Sequence, residues 1–324
     1  MASPEPPIVL LNRAFHPTVQ ARVDADARFR VLLRPDLDCS AAEAAAARGL
    51  LLHGHVPIDA AVLARFPQLA VVSNQGVGVD HIDLSACAAR GVRVGNTPVP
   101  ELSDSTADLA FALLLAVARR VVEGDALARA PDTRAFDALW FGPARVAGAT
   151  IGIVGLGRIG QAVARRARGF DMPVLYHNRS RLAAEAEAAL GGARFCAQLG
   201  ELLAAADFIV LCAPSTPATR GLMDAAAFAQ CKRGAVLVNV ARGDLVDQPA
   251  LAAALRSGAL AGAGLDVTSP EPLPRDHELL ALPTCIITPH VGTATLFARS
   301  AMNALALENL AAGLEGRPLP AEAL

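Results

Sequence analysis

Aromatic residues are scarce in this chain, at 4%, with a single Trp and a single Tyr. That removes most of the stacking material an RNA-binding sheet would use. Charge of one sign is missing too: 29 Lys and Arg stand against 31 Asp and Glu, for a net charge of -2. This balance argues against nucleic-acid binding driven by overall charge. The six cysteines, Cys39, Cys87, Cys196, Cys212, Cys231 and Cys285, are irregularly spaced, and no pair has C-x-x-C spacing. A disulfide framework and a zinc site are both disfavoured; the cysteines read as small hydrophobes in a reducing compartment. Long apolar runs are also missing. The longest stretch, around Leu109 to Ala118, lies between Asp108 and Arg119 and is too short to span a bilayer. The opening MASPEPPIVLLNRAF carries an apolar run of only four residues, so no signal peptide is expected. The expectation is a cytoplasmic protein with no metal, nucleic-acid partner or membrane partner.

What the chain does have is apolar material. Hydrophobic residues make up 53% and charged residues 19%, which excludes disorder over most of the length. At 324 residues about two domains are expected, with enough chain to bury a large core without staples.

Short apolar runs alternate with alanine-rich helical segments. In the first hundred residues Ile8–Leu11, Leu50–Leu52, Ala70–Val72 and Val92–Val94 read as strands. After Thr150 come Thr150–Val154, Val174–Tyr176, Phe208–Leu211, Ala235–Val238, Ala263–Asp266 and Cys285–Thr288. Such alternation predicts α/β architecture: two Rossmann-like, doubly wound parallel sheets. The prolines of Asn96-Thr97-Pro98-Val99-Pro100 bias that stretch to extended backbone and make it a candidate hinge. A helix is predicted from Ser103 or Asp104 to about Arg120. It is apolar nearly all round, so it must be buried on several sides, and a subunit interface is one way to achieve that. A last helix, about Thr295 to Gly313, has no strand after it. It is expected to pack back on the first domain, which would make that domain discontinuous: 1–99 with 293–324, and 100–292 inserted between them.

Gly155-Leu156-Gly157-Arg158-Ile159-Gly160 follows a strand directly and opens a helix, the context that gives a G-x-G-x-x-G meaning. Gly155 permits the tight turn, Gly157 lets backbone approach a pyrophosphate, and Gly160 lets helix and strand pack closely. The N–H groups at the helix start then bind the anion. An NAD site usually has Asp or Glu about 20 residues further on; here stand Asn178, Arg179 and Ser180. Arg179 can form charge-assisted bonds to a 2′-phosphate, and Ser180 can donate another. NADP(H) is therefore favoured over NAD(H); the bland alternative is that Arg179 is a solvated surface arginine. Arg242, Glu271 and His290 each lie just past a strand and can converge on one crevice. An imidazole beside a carboxylate suits a proton donor, and an arginine can hold a carboxylate and polarise a neighbouring ketone. Each alone would read as a surface charge or a core histidine.

Several motifs stand in order: Gly76-Val77-Gly78-Val79-Asp80-His81-Ile82-Asp83, Asn96-Thr97-Pro98, Gly155 to Gly160, Ala213-Pro214 with Thr216 and Thr219, Asn239 to Asp247, Leu265-Asp266-Val267 with Glu271-Pro272, and Pro289-His290-Val291-Gly292. With these the chain resembles the D-isomer-specific 2-hydroxyacid dehydrogenases from about Ser73 to Thr295. Thr106-Ala107-Asp108-Leu109 and Asn178-Arg179-Ser180 look most like the NADPH-dependent hydroxypyruvate, glyoxylate and hydroxyphenylpyruvate reductases of that family.

The resemblance implies a two-domain fold with the NADP-binding domain inserted into the substrate-binding domain, and a homodimer through the helix at 103–120. It implies His290 as the acid, Glu271 as its partner, and Arg242 with the N–H groups of Val77 and Gly78 on the substrate. It further implies a cofactor site made of Thr106, Gly155, Leu156, Gly157, Arg158, Ile159, Asn178, Arg179, Ser180, Ala213, Pro214, Thr219, Val240, Ala241, Arg242, Asp266, His290 and Gly292. Thr268-Ser269 stand where the family commonly has a bulky aromatic, which alters the outer wall of the cleft. The alternatives are reduction of hydroxyphenylpyruvate or another 2-keto acid, a phosphite- or formate-type dehydrogenase, and a nucleotide-sensing corepressor of the same fold.

Overall fold

The structure, a computed structural model, describes residues 5–131, 142 and 144–323. The chain divides into two compact units: Met1–Leu102 with Ala294–Leu324, and Ser103–Thr293.

The first unit is built on a five-stranded parallel sheet in the order β2-β1-β3-β4-β5. Its strands are β1 (Ile8–Leu11), β2 (Arg30–Leu33), β3 (Ala47–His53), β4 (Val71–Gln75) and β5 (Arg93–Gly95). Leu10, Leu50, Leu52 and Val72 bury one face, while Val9, Leu11, Leu51 and Val71 bury the other. This two-sided burial is why the strands read as continuous apolar runs rather than as an alternation. The second face is covered by the helix Leu296–Leu314 through Ala306, Leu307, Leu310 and Ala311. That helix starts where Thr295 caps it, its hydroxyl accepting the Ala298 N–H. Gly313 is needed at the far end, because a Cβ there would lie 2.6 Å from Val71.

The second unit holds a seven-stranded parallel sheet in the order β12-β11-β10-β9-β6-β7-β8. Its strands are β6 (Ile151–Val154), β7 (Val174–His177), β8 (Arg194–Phe195), β9 (Phe208–Leu211), β10 (Ala235–Asn239), β11 (Leu260–Leu265) and β12 (Cys285–Ile287). Ile151, Ile153, Phe208, Val210, Val236 and Val238 face one layer, and Val154, Ile209, Leu211 and Leu237 face the other. The sheet is therefore wound on both sides, with its switch of direction between β6 and β9.

Three elements differ from the sequence expectation. The sequence expectation has no strand at β2, although Val31–Leu33 is an apolar run, and none at β8, which is only two residues long. The long helix begins at Pro100 rather than at Ser103 and ends at Ala118. Proline tolerates a first helical turn, where its missing N–H has no bond to lose. The apolar circumference of this helix is partly explained inside its own unit. Leu113 and Val117 rest on β11 at Gly264 and Gly262, where a Cβ would come within 2.8 Å and 2.5 Å of them.

All six cysteines are unpaired. Burial pushes the Cys212 and Cys285 thiols up to about 12, so neither is a nucleophile at neutral pH. Among the described residues no helix is long and apolar enough to cross a membrane.

Candidate active site

At the switch point, β6 ends in Gly155, whose φ of +95° only glycine adopts without strain. A Cβ there would lie 2.6 Å from the backbone of Ala213, which follows β9, so the two predicted cofactor loops touch. At Gly160 a Cβ would meet the Gly155 carbonyl at 2.2 Å, whereas at Gly157 it would enter open space. The helix Arg158–Ala167 begins there with Gly157 as its N-cap and no side chain capping it. Gly157 clears an anion's approach to this first turn. This fits a dinucleotide pyrophosphate.

The strand next to it, β7, runs into Asn178, whose Oδ1 accepts the Leu156 N–H at 2.6 Å. Asn178 is thereby committed to the glycine loop. Arg179 and Ser180 are exposed, and neither has a hydrogen-bond partner among the described residues. Beyond β9, the Thr219 hydroxyl donates to the Pro214 carbonyl at 2.7 Å and accepts the Thr216 N–H at 2.8 Å. These bonds shape the Ala213–Thr219 loop.

The polar residues at the ends of β10, β11 and β12 occupy three adjacent strands. Asn239, fully buried, accepts the Ala241 N–H on its side chain at 3.0 Å and donates to the Arg242 carbonyl at 2.8 Å. It therefore moulds the turn through Val240, Ala241 and Arg242. Gly243 then presses on the next loop, since a Cβ there would fall 2.0 Å from the Thr268 backbone. Gln248 clamps that loop from below, donating to the Ser269 carbonyl at 2.6 Å and accepting the Ser269 N–H at 2.9 Å. Glu271 follows two residues on. Its Oε1 lies 2.6 Å from His290 Nδ1, with both side chains about one-third exposed.

His290 sits at φ +54°, a sparsely populated region for a residue with a Cβ and one that costs on the order of 1–3 kcal/mol. Asp266 holds it there. The Asp266 carboxylate accepts from the Thr288 hydroxyl (2.6 Å), the Val291 N–H (2.8 Å) and the Gly292 N–H (2.8 Å). Its backbone carbonyl accepts the His290 N–H at 2.9 Å. Burial raises the Asp266 carboxyl above the usual carboxylate value, against the pull of those three donors. Thr106 lies against Gly292, 3.4 Å from where a Cβ would be. Chemically, Glu271 accepts from Nδ1–H and so fixes Nε2 as the nitrogen that can carry a proton outward.

In the first unit, the Gly76–Gly78 loop is held by its carbonyls. Gly76 accepts from the Thr97 N–H at 3.0 Å, Val77 from Asn96 Nδ2 at 2.9 Å, and Gly78 from Asn74 Nδ2 at 3.0 Å. The N–H groups of Val77 and Gly78 have no partner among the described residues, the state expected of an anion-binding nest. Behind this loop, Arg299 donates to His53 Nε2 at 2.7 Å. Burial, then the charges of Arg299 and Arg13, push the His53 imidazole down to about 4.

The sequence reading missed Gln248, Thr288 and Asn239 as supports of the site. Asn239 is the last residue of β10 and Thr288 directly follows β12, positions that could have flagged them, whereas Gln248 opens the helix Gln248–Arg256, away from any strand end.

A dinucleotide-binding turn at the switch point and a paired acid–base couple at the neighbouring strand ends define a nicotinamide-dependent oxidoreductase. The family model for the NAD-binding domain of D-isomer specific 2-hydroxyacid dehydrogenases matches residues 111–292. The chain is 44% identical over 283 residues to the glyoxylate reductase/hydroxypyruvate reductase of Homo sapiens, covering 86% of this chain and 84% of that protein. It is 46% identical over 267 residues to the glyoxylate reductase of Thermococcus kodakarensis, covering 81% and 79%. Among solved structures, the NADPH-dependent glyoxylate/hydroxypyruvate reductase of Sinorhizobium meliloti, in complex with NADP and malonate, superimposes with a TM-score of 0.86. That match has 32% identity and covers 98% of this chain and 96% of that one. The chain belongs to the D-isomer specific 2-hydroxyacid dehydrogenase family.

Proposed function

We propose that this protein reduces a small 2-keto acid, glyoxylate or hydroxypyruvate, to the D-2-hydroxy acid with NADPH. The observation that carries the reading is the 2.6 Å pair of Glu271 and His290 at the strand ends beside the Arg242 turn. The bound cofactor supplies the hydride to the keto carbon. His290, as imidazolium, gives its Nε2 proton to the carbonyl oxygen, while Glu271 holds Nδ1–H and stabilises the cation. Arg242 binds the substrate carboxylate and polarises the carbonyl, and in the other unit the Val77 and Gly78 amides are substrate-binding donors. The unit Ser103–Thr293 is the cofactor-binding domain in this reading, and the other unit binds substrate.

The glycine turn, with Leu156, Arg158 and Ile159, takes the pyrophosphate. Arg179 and Ser180, exposed where an NAD site has a carboxylate, take the 2′-phosphate, which is what favours NADPH over NADH. Ala213, Pro214, Thr219, Val240, Ala241, Thr106, Asp266 and Gly292 line the rest. The six free cysteines suit a reducing compartment, and the cytoplasm is the proposed location.

A homodimer completes the reading. The seam expected at helix 103–120 stands in this reading, and the separate helix Val121–Arg129, set off by Arg120 in the left-handed region, adds to it: it buries none of its residues, and Val121 and Val122 are 55% and 54% exposed. Such an apolar pair suits a second copy. Sedimentation of the wild type and of Val121→Glu checks it; a monomeric wild type removes the dimer.

The enzymatic test is oxidation of NADPH, followed by its absorbance, with glyoxylate and hydroxypyruvate against hydroxyphenylpyruvate. Parallel arms supply NADP with phosphite or formate. Turnover in the first arms supports the proposal; turnover only with phosphite or formate, or none in any arm, overturns it.

A further inference from the structure

The loop that would discriminate the 2′-phosphate carries two arginines, and they differ in surroundings. Arg179 has no partner among the described residues. Arg181 is forked onto Glu187, its Nε donating to Oε1 and Nη2 to Oε2, both at 2.8 Å. The same Oε1 accepts the Tyr176 hydroxyl at 2.6 Å, and that hydroxyl accepts the Leu182 N–H at 2.9 Å. Glu187 is 7% exposed and Tyr176 is fully buried, with its ring in the core of the sheet. A carboxylate buried this far is tolerated because three donors satisfy it; Arg181 and then Tyr176 hold its pKa down to about 2.

The loop is thus pinned at both ends. At its start Asn178 is tied to the glycine turn through Leu156. At its end Arg181 and Leu182 are tied to Glu187 and Tyr176. Only Arg179 and Ser180 are left between the two anchors.

We propose that Glu187 is a positioning residue for cofactor discrimination, holding the loop so that Arg179 and Ser180 present to the 2′-phosphate while it neutralises Arg181. This rests on the NADPH reading above. Arg181 on this account is not a phosphate ligand but the outer jaw of a clamp, and the site offers one net positive charge.

The sign of one substitution separates the possibilities. If Glu187 merely competed for Arg181, Glu187→Gln would release a second cation and tighten binding of a 2′-phosphate. If Glu187 positions the loop, the same change weakens it. The measurement is calorimetric titration of the full chain with 2′,5′-ADP and with 5′-AMP, which differ only in the 2′-phosphate. The wild type is expected to prefer 2′,5′-ADP. Glu187→Gln should bind 2′,5′-ADP about tenfold more weakly, as expected for one lost charge-assisted anchor, with 5′-AMP little changed. Tyr176→Phe alters no charge and removes the hydroxyl that joins Leu182 to Glu187, so it should shift the preference in the same direction; it also serves if Glu187→Gln does not fold. Tighter or unchanged 2′,5′-ADP binding in Glu187→Gln overturns the proposal, as does an unchanged preference in Tyr176→Phe. A wild type that binds 5′-AMP as tightly as 2′,5′-ADP overturns the NADPH reading itself, and with it this inference.

Discussion

Asp266 grips the turn on both sides of His290: its carbonyl takes the His290 N–H, and its carboxylate takes the N–H groups of the next two residues. The imidazole is thus aimed through the backbone of its own turn, which the Asp266 carboxylate holds. Asp266→Asn replaces an acceptor-only group with one whose amide faces two N–H donors. A fall in kcat of about ten- to a hundredfold is expected from the misaimed acid, measured in steady-state NADPH oxidation. Unchanged kcat in a folded variant would mean that the local backbone alone positions His290.

His290→Asn removes the proposed proton donor. Turnover should drop by about 10²–10⁴, with the dissociation constant for NADPH nearly unchanged. Glu271→Gln replaces the acceptor on His290 Nδ1 and should lower kcat with the KM for NADPH little changed. Unchanged kcat in a folded variant would show that the pair does not orient the acid.

Arg179→Ala should raise the KM for NADPH by about one to two decades and leave that for NADH nearly alone, since only the phosphate bond, roughly 1.5–3 kcal/mol, is lost. Equal effects on both cofactors would remove the 2′-phosphate role.

Stability should depend on acid through His53. Its folded pKa, about 4, lies below the unfolded value of about 6.5. Between these values the unfolded chain binds the proton and the folded chain does not, so stability is full above about pH 6.5 and is lost as pH falls toward 4. The loss amounts to about 3 kcal/mol at most. Urea unfolding of wild type and His53→Gln at several pH values across that window reads it. The variant should show the shallower slope, and identical slopes would remove His53 as the cause.

Gly160→Ala places a methyl carbon where the Gly155 carbonyl stands, 2.2 Å away. Backbone must shift, at a cost of about 1–3 kcal/mol, and the shift falls on the cofactor turn. Both Tm and NADPH affinity should fall; normal affinity would show that the turn absorbs the methyl group elsewhere.

The strands buried on both faces were legible because parallel strands of this kind are uniformly apolar: Phe208–Leu211 and Ala235–Asn239 could hardly be anything else. The edge strand Arg194–Phe195 was not, since two residues carry no pattern and are fixed by their neighbour; Arg30–Leu33 does carry an apolar run, Val31–Leu33, but one no longer than a helix or loop can hold. The glycine turn carries its signal locally, in three spacings. Gln248 on Ser269, Asp266 on the His290 turn and Glu187 on Arg181 are tertiary relationships, made by which strand ends and helices fold beside one another. A polar letter in the sequence does not disclose its partner.

The last helix has a bearing on how the chain comes to be folded. Leu296–Leu314 supplies half of the packing on one face of the first sheet, and Ala323 adds its N–H to the Val94 carbonyl at the sheet's edge. A nascent chain therefore emerges with Val9, Leu11, Leu51 and Val71 lacking half of their cover until Leu296–Leu314 has been synthesised. Ser103–Thr293, whose strands are contiguous in sequence, can close its own core earlier. The order of maturation during translation is thus inverted, with the middle of the chain complete before its beginning, and the ribosome-tethered intermediate exposes one sticky sheet face that invites chaperone engagement.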